Sequence, residues 1–201
     1  MKRLVIKTVV ITVAAILVLM AAVYLTLALF FPKTLAACWK DVGNYSLSAK
    51  YYEKQYEKSA DYGDLATLCV YLDAKNDGVR TAEYLKLFTE NGGFSARCEA
   101  EDLNGGFKYT AYEYYYGKYA VAEFYARNID AAVAVAKKAV GAAAGYTENN
   151  AFYVLLIEAD GLTANDKNAI KAAVTEIKGG LTDSKQIGYA DRDIGYADSL
   201  N

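Results

Sequence analysis

The sequence predicts an all-α fold in which an N-terminal transmembrane helix is followed by a stack of antiparallel helix pairs. Three observations predict it. Thr8 to Phe31 is an uncharged apolar run, the rest of the chain is a succession of amphipathic segments closed by short Gly/Asn/Asp turns, and no segment shows convincing strand alternation.

The apolar run is 24 residues long, preceded by Lys2, Arg3 and Lys7 and followed by Pro32-Lys33. At a rise of about 1.5 Å per residue it spans roughly 36 Å, enough to cross a hydrocarbon core of about 30 Å. Basic residues on the short N-terminal flank predict residues 1–7 in the cytoplasm, 8–31 across the membrane and the remainder outside. The expected location is therefore the cell membrane, single-pass, with an extracytoplasmic C-terminal domain. Two processed alternatives compete with this anchor. Thr34-Leu35-Ala36 and Leu35-Ala36-Ala37 have the small-residue pattern of signal-peptidase sites. Leu35-Ala36-Ala37-Cys38 resembles a bacterial lipobox, which makes Cys38 a candidate for lipidation. The length of the run and Lys33 just behind it favour the uncleaved anchor.

Residues 34–180 are expected to form the helical domain. Helices are predicted over 34–42, stopped by Gly43-Asn44, and over 47–59, capped by Ser46. Asp64 is read as the cap of 65–75, and Asn76-Asp77-Gly78 precedes 79–89. A short helix from Ser95 to Glu101 breaks at Asn104-Gly105-Gly106, and a long one follows from Phe107 to Ala126. Further helices are expected over 130–144, 147–160 and 166–178. Residues 181–201 contain Ile187-Gly-Tyr-Ala-Asp191 repeated as Ile194-Gly-Tyr-Ala-Asp198, which in a helix puts Ile187, Ala190, Ile194 and Ala197 on one stripe. Gly188 and Gly195 weaken that helix, so a capping helix and a frayed tail both remain open.

Ala49 and Ala82 hold equivalent places 33 residues apart, and Ala132 and Ala169 are separated by 37. In 128–140, Ala132, Ala136 and Ala139 occupy small packing positions, and Trp39-x-x-Val42-Gly43 has the look of a first-helix signature. On these residues the chain resembles the tetratricopeptide (TPR) and Sel1-like repeat proteins across roughly 35–178. It lacks their closing proline, and the interval from Ala82 to Ala132 is 50. The resemblance implies a membrane-anchored helical module that binds other proteins as a scaffold, assembly factor or chaperone-like holder.

Composition narrows the chemistry. Histidine is absent, which removes the commonest general base near neutrality and every imidazole metal site. Cys38, Cys69 and Cys98 stand about thirty residues apart, unlike zinc or redox spacings, so Cys69 and Cys98 are either small buried hydrophobes or a disulfide pair. Net charge is −2, with no basic block beyond the anchor flank, so nucleic acid is not an expected partner. Glu99, Glu101 and Asp102 are the one tight carboxylate cluster, and they lack the spacing of a calcium loop. No catalytic, cofactor or metal residue is assigned, and the chain is not expected to be an enzyme.

Tyrosine is the compositional excess, 19 residues against 7 phenylalanines. Tyr109, Tyr112, Tyr116 and Tyr119 form one helical stripe, read as core, in a helix expected to be central. Tyr114, Tyr115 and Tyr125 lie off it and are the candidate partner-binding residues, since tyrosine is enriched at binding surfaces. The alternative function is a glycan- or cell-wall-binding module using a tyrosine-lined groove.

Overall fold

In the computed structural model the described residues are 2–103, 110–142 and 145–199. Among them the chain forms eleven helices and no strand, so it is all-α as expected. The helices are α1 (Lys2–Phe30), α2 (Pro32–Asp41), α3 (Tyr45–Ser59), α4 (Tyr62–Tyr71), α5 (Gly78–Thr89), α6 (Phe94–Leu103), α7 (Ala111–Tyr125), α8 (Ile129–Ala142), α9 (Ala151–Glu158), α10 (Ala164–Lys178) and α11 (Ser184–Ser199). The predicted turn at 104–106, the start of the long helix at Phe107, Tyr109, and Ala143-Ala144 lie outside the described residues. The chain divides into two compact units, Met1–Tyr71 and Leu72–Asn201, a boundary inside the stretch read as one helical domain.

In the first unit, α1 holds a segment, Ile6–Phe30, long and apolar enough to cross a membrane, and no part of its most apolar window is buried by the protein. One residue, Phe31, separates it from α2, whose first residue is proline, the preferred helix starter. Gly43 adopts φ +77°, which settles its double reading in favour of a turn. Asn44, not Ser46, caps α3 by accepting from Leu47 N at 3.1 Å. The core gathers Leu35 and Ala36 of α2, Ala49, Tyr51 and Tyr52 of α3, and Leu65, Ala66, Leu68 and Cys69 of α4. Ser48 is buried there because its hydroxyl has a partner, the Ala36 carbonyl at 3.0 Å. Asp64 is buried as well. Burial raises its pKa, but hydrogen bonds from Lys33 (2.8 Å), Gln55 (3.0 Å) and Ser59 (2.8 Å) prevail and hold it below the usual carboxylate range.

In the second unit α7 is central, packed against α5, α6, α8 and α9. Gly117 allows the close approach of α9, since a Cβ there would stand 2.8 Å from the Val154 side chain. The tail is a helix, not a frayed end: α11 packs on α10 and α9. Its buried line is Ala190, Asp193 and Ala197, with Ile187 and Ile194 half-buried at the edges. Lys171 pairs with Asp198 at 2.8 Å and Lys178 with Asp191, which fixes α10 and α11 as antiparallel. All three cysteines carry free thiols, with Cys69 and Cys98 buried and Cys38 exposed.

Candidate functional site

The tyrosine helix begins at Thr110, whose hydroxyl accepts from Glu113 N at 3.3 Å while the Glu113 carboxylate accepts from Thr110 N at 2.9 Å. This capping box sets the rotation of α7 and with it the place of every tyrosine. Tyr114 is half-buried, with the Lys118 ammonium 5.7 Å from its ring centre. Tyr115, expected among the binding residues, is instead fully buried. Its ring meets Phe88 at 4.6 Å, its hydroxyl donates to Glu101 at 2.9 Å, and burial pushes that hydroxyl far above the ordinary tyrosine range. The reason is that α7 is enclosed on most sides, so leaving the Tyr112/Tyr116 stripe does not mean reaching solvent. Tyr116 is buried as expected, whereas Tyr112 is half-buried, stacked on Tyr116 and edge-on to Phe94.

Tyr125 ends the same helix. Its hydroxyl accepts from Asp160 N at 2.9 Å and lies 3.4 Å from the Glu158 carbonyl, holding the loop after α9. That loop borders a depression of about 340 Å³ lined by Leu156, Ile157, Asp160, Leu162, Lys167 and Tyr196. Tyr114 and Tyr125 are eleven residues apart, about 16 Å along the helix, so they do not converge on one spot. Of the three predicted tyrosines the fold presents two, separately, and buries the third.

The carboxylate cluster is structural. Glu101 pairs with Arg97 and receives Tyr115, Asp102 accepts from Ala111 N at 2.6 Å, and Glu99 faces solvent. Among the described residues no three His, Cys, Asp or Glu side chains gather into a metal site. Cys98, close to these acids, has its thiol pushed up to about 12, chiefly by burial. A buried thiol of that kind is a poor nucleophile.

Cys38 is exposed on α2, but its upstream neighbours Leu35 and Ala36 are buried in the first unit. Cleavage before Cys38 would remove both, with Pro32, from that core.

A second fully satisfied buried acid is one the sequence reading missed. Asp193 of α11 is 1% exposed and accepts from Tyr146 Oη at 2.7 Å, Asn150 Nδ2 at 2.9 Å and Arg192 Nε at 2.8 Å. Asn150 also caps α9 through its other amide atom, and Arg192 reaches the Glu148 carbonyl at 2.6 Å and lies 3.9 Å over the Tyr153 ring. Arg192-Asp193 is the dipeptide that interrupts the two copies of Ile-Gly-Tyr-Ala-Asp, and that interruption was the available signal. Every carboxylate oxygen in the cluster is used inside the protein, so it ties α11 to the α8–α9 connection and offers nothing to a ligand. No family model matches the chain, and neither the curated proteins nor the solved structures contain a match to it.

Proposed function

We propose that the protein is a single-pass membrane protein whose helical body, outside the cytoplasm, binds other proteins as a scaffold, assembly factor or chaperone-like holder. The observation that carries the anchor is α1, apolar on all its faces and covered by nothing in the chain along its most apolar window. Such a surface is stable only in lipid. The basic flank of Lys2, Arg3 and Lys7 supports a cytoplasmic N-terminus. Burial of Leu35 and Ala36 supports retention of the anchor without cleavage.

Binding rather than catalysis is supported by what the polar side chains do. The buried carboxylates are all occupied: Asp64 accepts from Lys33, Gln55 and Ser59, Glu113 closes the start of α7, and Asp193 ties α11 in place. The TPR and Sel1-like resemblance supports a protein as the partner, with Tyr114, beside Lys118, and Tyr125, beside the α9 loop, as the contact residues. Photo-crosslinking in intact membranes from Tyr114 and Tyr125, followed by mass spectrometry, tests this. Partner proteins joined at these positions are expected. Retention on isolated cell-wall glycan with no crosslinked protein would replace the reading with the glycan-binding one. Protease treatment of intact cells should remove Lys178 and the tail while sparing Lys2 and Arg3.

A further inference from the structure

The apolar segment of α1 is longer than a bilayer needs, and the fold uses the excess. Ile6–Phe30 is 25 residues, about 37 Å, against a hydrocarbon core of about 30 Å. Among the described side chains of α1, from Ile6 onward, those of the last two turns meet the folded part of the first unit. Tyr24 Oη and Tyr51 Oη of α3 are 2.5 Å apart with their rings edge-on at 6.4 Å, Ala28 is buried, and Lys58 of α3 donates to the Leu29 carbonyl. Helix α3 thus stands beside α1 between Tyr24 and Leu29.

That position fixes where the hydrocarbon must stop. Helix α3 carries Lys50, Glu53, Lys54, Glu57 and Lys58, and a charged side chain in the hydrocarbon is costly. Ending the core at Tyr24 leaves Thr8 to Tyr24 in the bilayer, roughly 17 residues or 26 Å, the short end of what spans the core, with Lys7 at the opposite surface. Tyrosine is also the residue type that settles at the headgroup boundary.

Lys50, Lys54 and Lys58 follow one another at i, i+4 and i+8, one edge of α3. Two of the three are placed at this boundary by contacts. Lys54 lies 5.3 Å over the ring of Tyr51, the partner of Tyr24, and Lys58 reaches Leu29. Next to them Leu29, Phe30 and Phe31 are 60%, 71% and 56% exposed, an apolar patch continuous with the span.

We propose that the first unit is seated on the bilayer and not held away from it on a stalk. The bilayer boundary lies at Tyr24, the Lys50–Lys54–Lys58 edge of α3 lies in the phosphate layer of the lipid headgroups, and Leu29, Phe30 and Phe31 pack among the headgroups. The single-residue connection from α1 to α2 leaves no linker to lift the unit. This inference rests on the membrane-anchor reading and adds a second contact with the same membrane.

The test uses the full chain with Cys38→Ser, reconstituted in vesicles of phosphatidylcholine and phosphatidylglycerol, with a nitroxide introduced at Lys54→Cys. Cys69 and Cys98 are buried and should not label. Vesicle flotation reports the anchor, and collision of the nitroxide with oxygen and with a water-soluble nickel chelate reports its depth. The expected result is flotation with nickel collision reduced severalfold relative to a free nitroxide in water, and oxygen collision below that of a label at Val18→Cys. Flotation with full nickel collision at position 54 would overturn the seat and leave the anchor standing. Oxygen collision equal to that at position 18 would also overturn it, by putting α3 in the hydrocarbon. Failure to float would remove both readings together.

Discussion

Helices α1 and α7 have nearly the same kind of surface and opposite fates. Both are apolar around most of their circumference, without the polar face of an ordinary surface helix. Helix α7 is covered by four other helices, and nine of its fifteen residues are buried, Glu113 among them. Among its residues from Ile6 onward, helix α1 is covered only at its C-terminal end. Apolarity all round therefore says that a helix must be enclosed but not by what. Length and flanks differ: 25 residues with Lys7 as their one charge are long and apolar enough to cross a membrane, whereas fifteen residues behind a capping box are enclosed by neighbouring helices.

The largest effect that would break this contrast is a charge at the centre of α1. Ala15→Arg with Val18→Arg should cost about 6 kcal/mol of insertion energy and move the chain into the alkaline-carbonate supernatant. A double variant that stays in the membrane pellet would put α1 on the same footing as α7. Next is the core of α7, where Tyr115→Ala should destabilise by about 3–5 kcal/mol in a urea melt, and Tyr115→Phe by only about 1 kcal/mol for the lost bond to Glu101. A midpoint unmoved by Tyr115→Ala would mean that α7 is exposed.

Asp193→Ala should cost about 3 kcal/mol, because it strands Tyr146, Asn150 and Arg192 without their shared acceptor. Asp193→Asn, retaining one acceptor oxygen, should recover part of the loss in the same melt. Alkali gives a smaller, graded effect. The buried Cys98 thiol, raised to about 12, and the buried hydroxyls of Tyr115, Tyr119 and Tyr146, also raised, are neutral in the folded state. The unfolded chain releases these protons first, so their contribution is complete below about pH 8 and is lost as pH rises toward the folded values. Stability should fall by about 3 kcal/mol from Cys98 alone by pH 11, and Cys98→Ala should flatten that part of the curve. The smallest effect belongs to the exposed pair on α10 and α11: Lys171→Ala should shift the melt by less than about 1 kcal/mol.

The long apolar N-terminal helix and most helix centres were legible because charge and turn residues mark them directly. The starts were less so, for one physical reason. In α4 and α10 an aspartate was read as a cap or as the first residue, but Asp64 and Asp166 sit inside the first turn. The caps lie three residues earlier, at Asp61, which accepts from Asp64 N at 3.0 Å, and at Thr163. Either place satisfies the helix dipole, so composition alone does not choose. Tyr115 was misplaced because periodicity assumes one apolar side, and α7 has several. The Asp193 cluster was hidden because a lone acid in a polar tail reads as solvated until the residues it meets, more than forty positions away, are known.

A sequence copied at an interval of seven invites a mistake in alignment. The two copies of Ile-Gly-Tyr-Ala-Asp offer Asp191 and Asp198 to Lys178 and Lys171, themselves seven apart, and a slide by one copy would let either aspartate meet the other lysine. Asp193 breaks the tie. Its counterparts one interval away are Gln186 and Leu200, and neither brings a carboxylate to Tyr146 and Asn150. The buried acid thus works as a notch on a sliding scale, selecting one setting for the last helix where the rest of its surface would accept two.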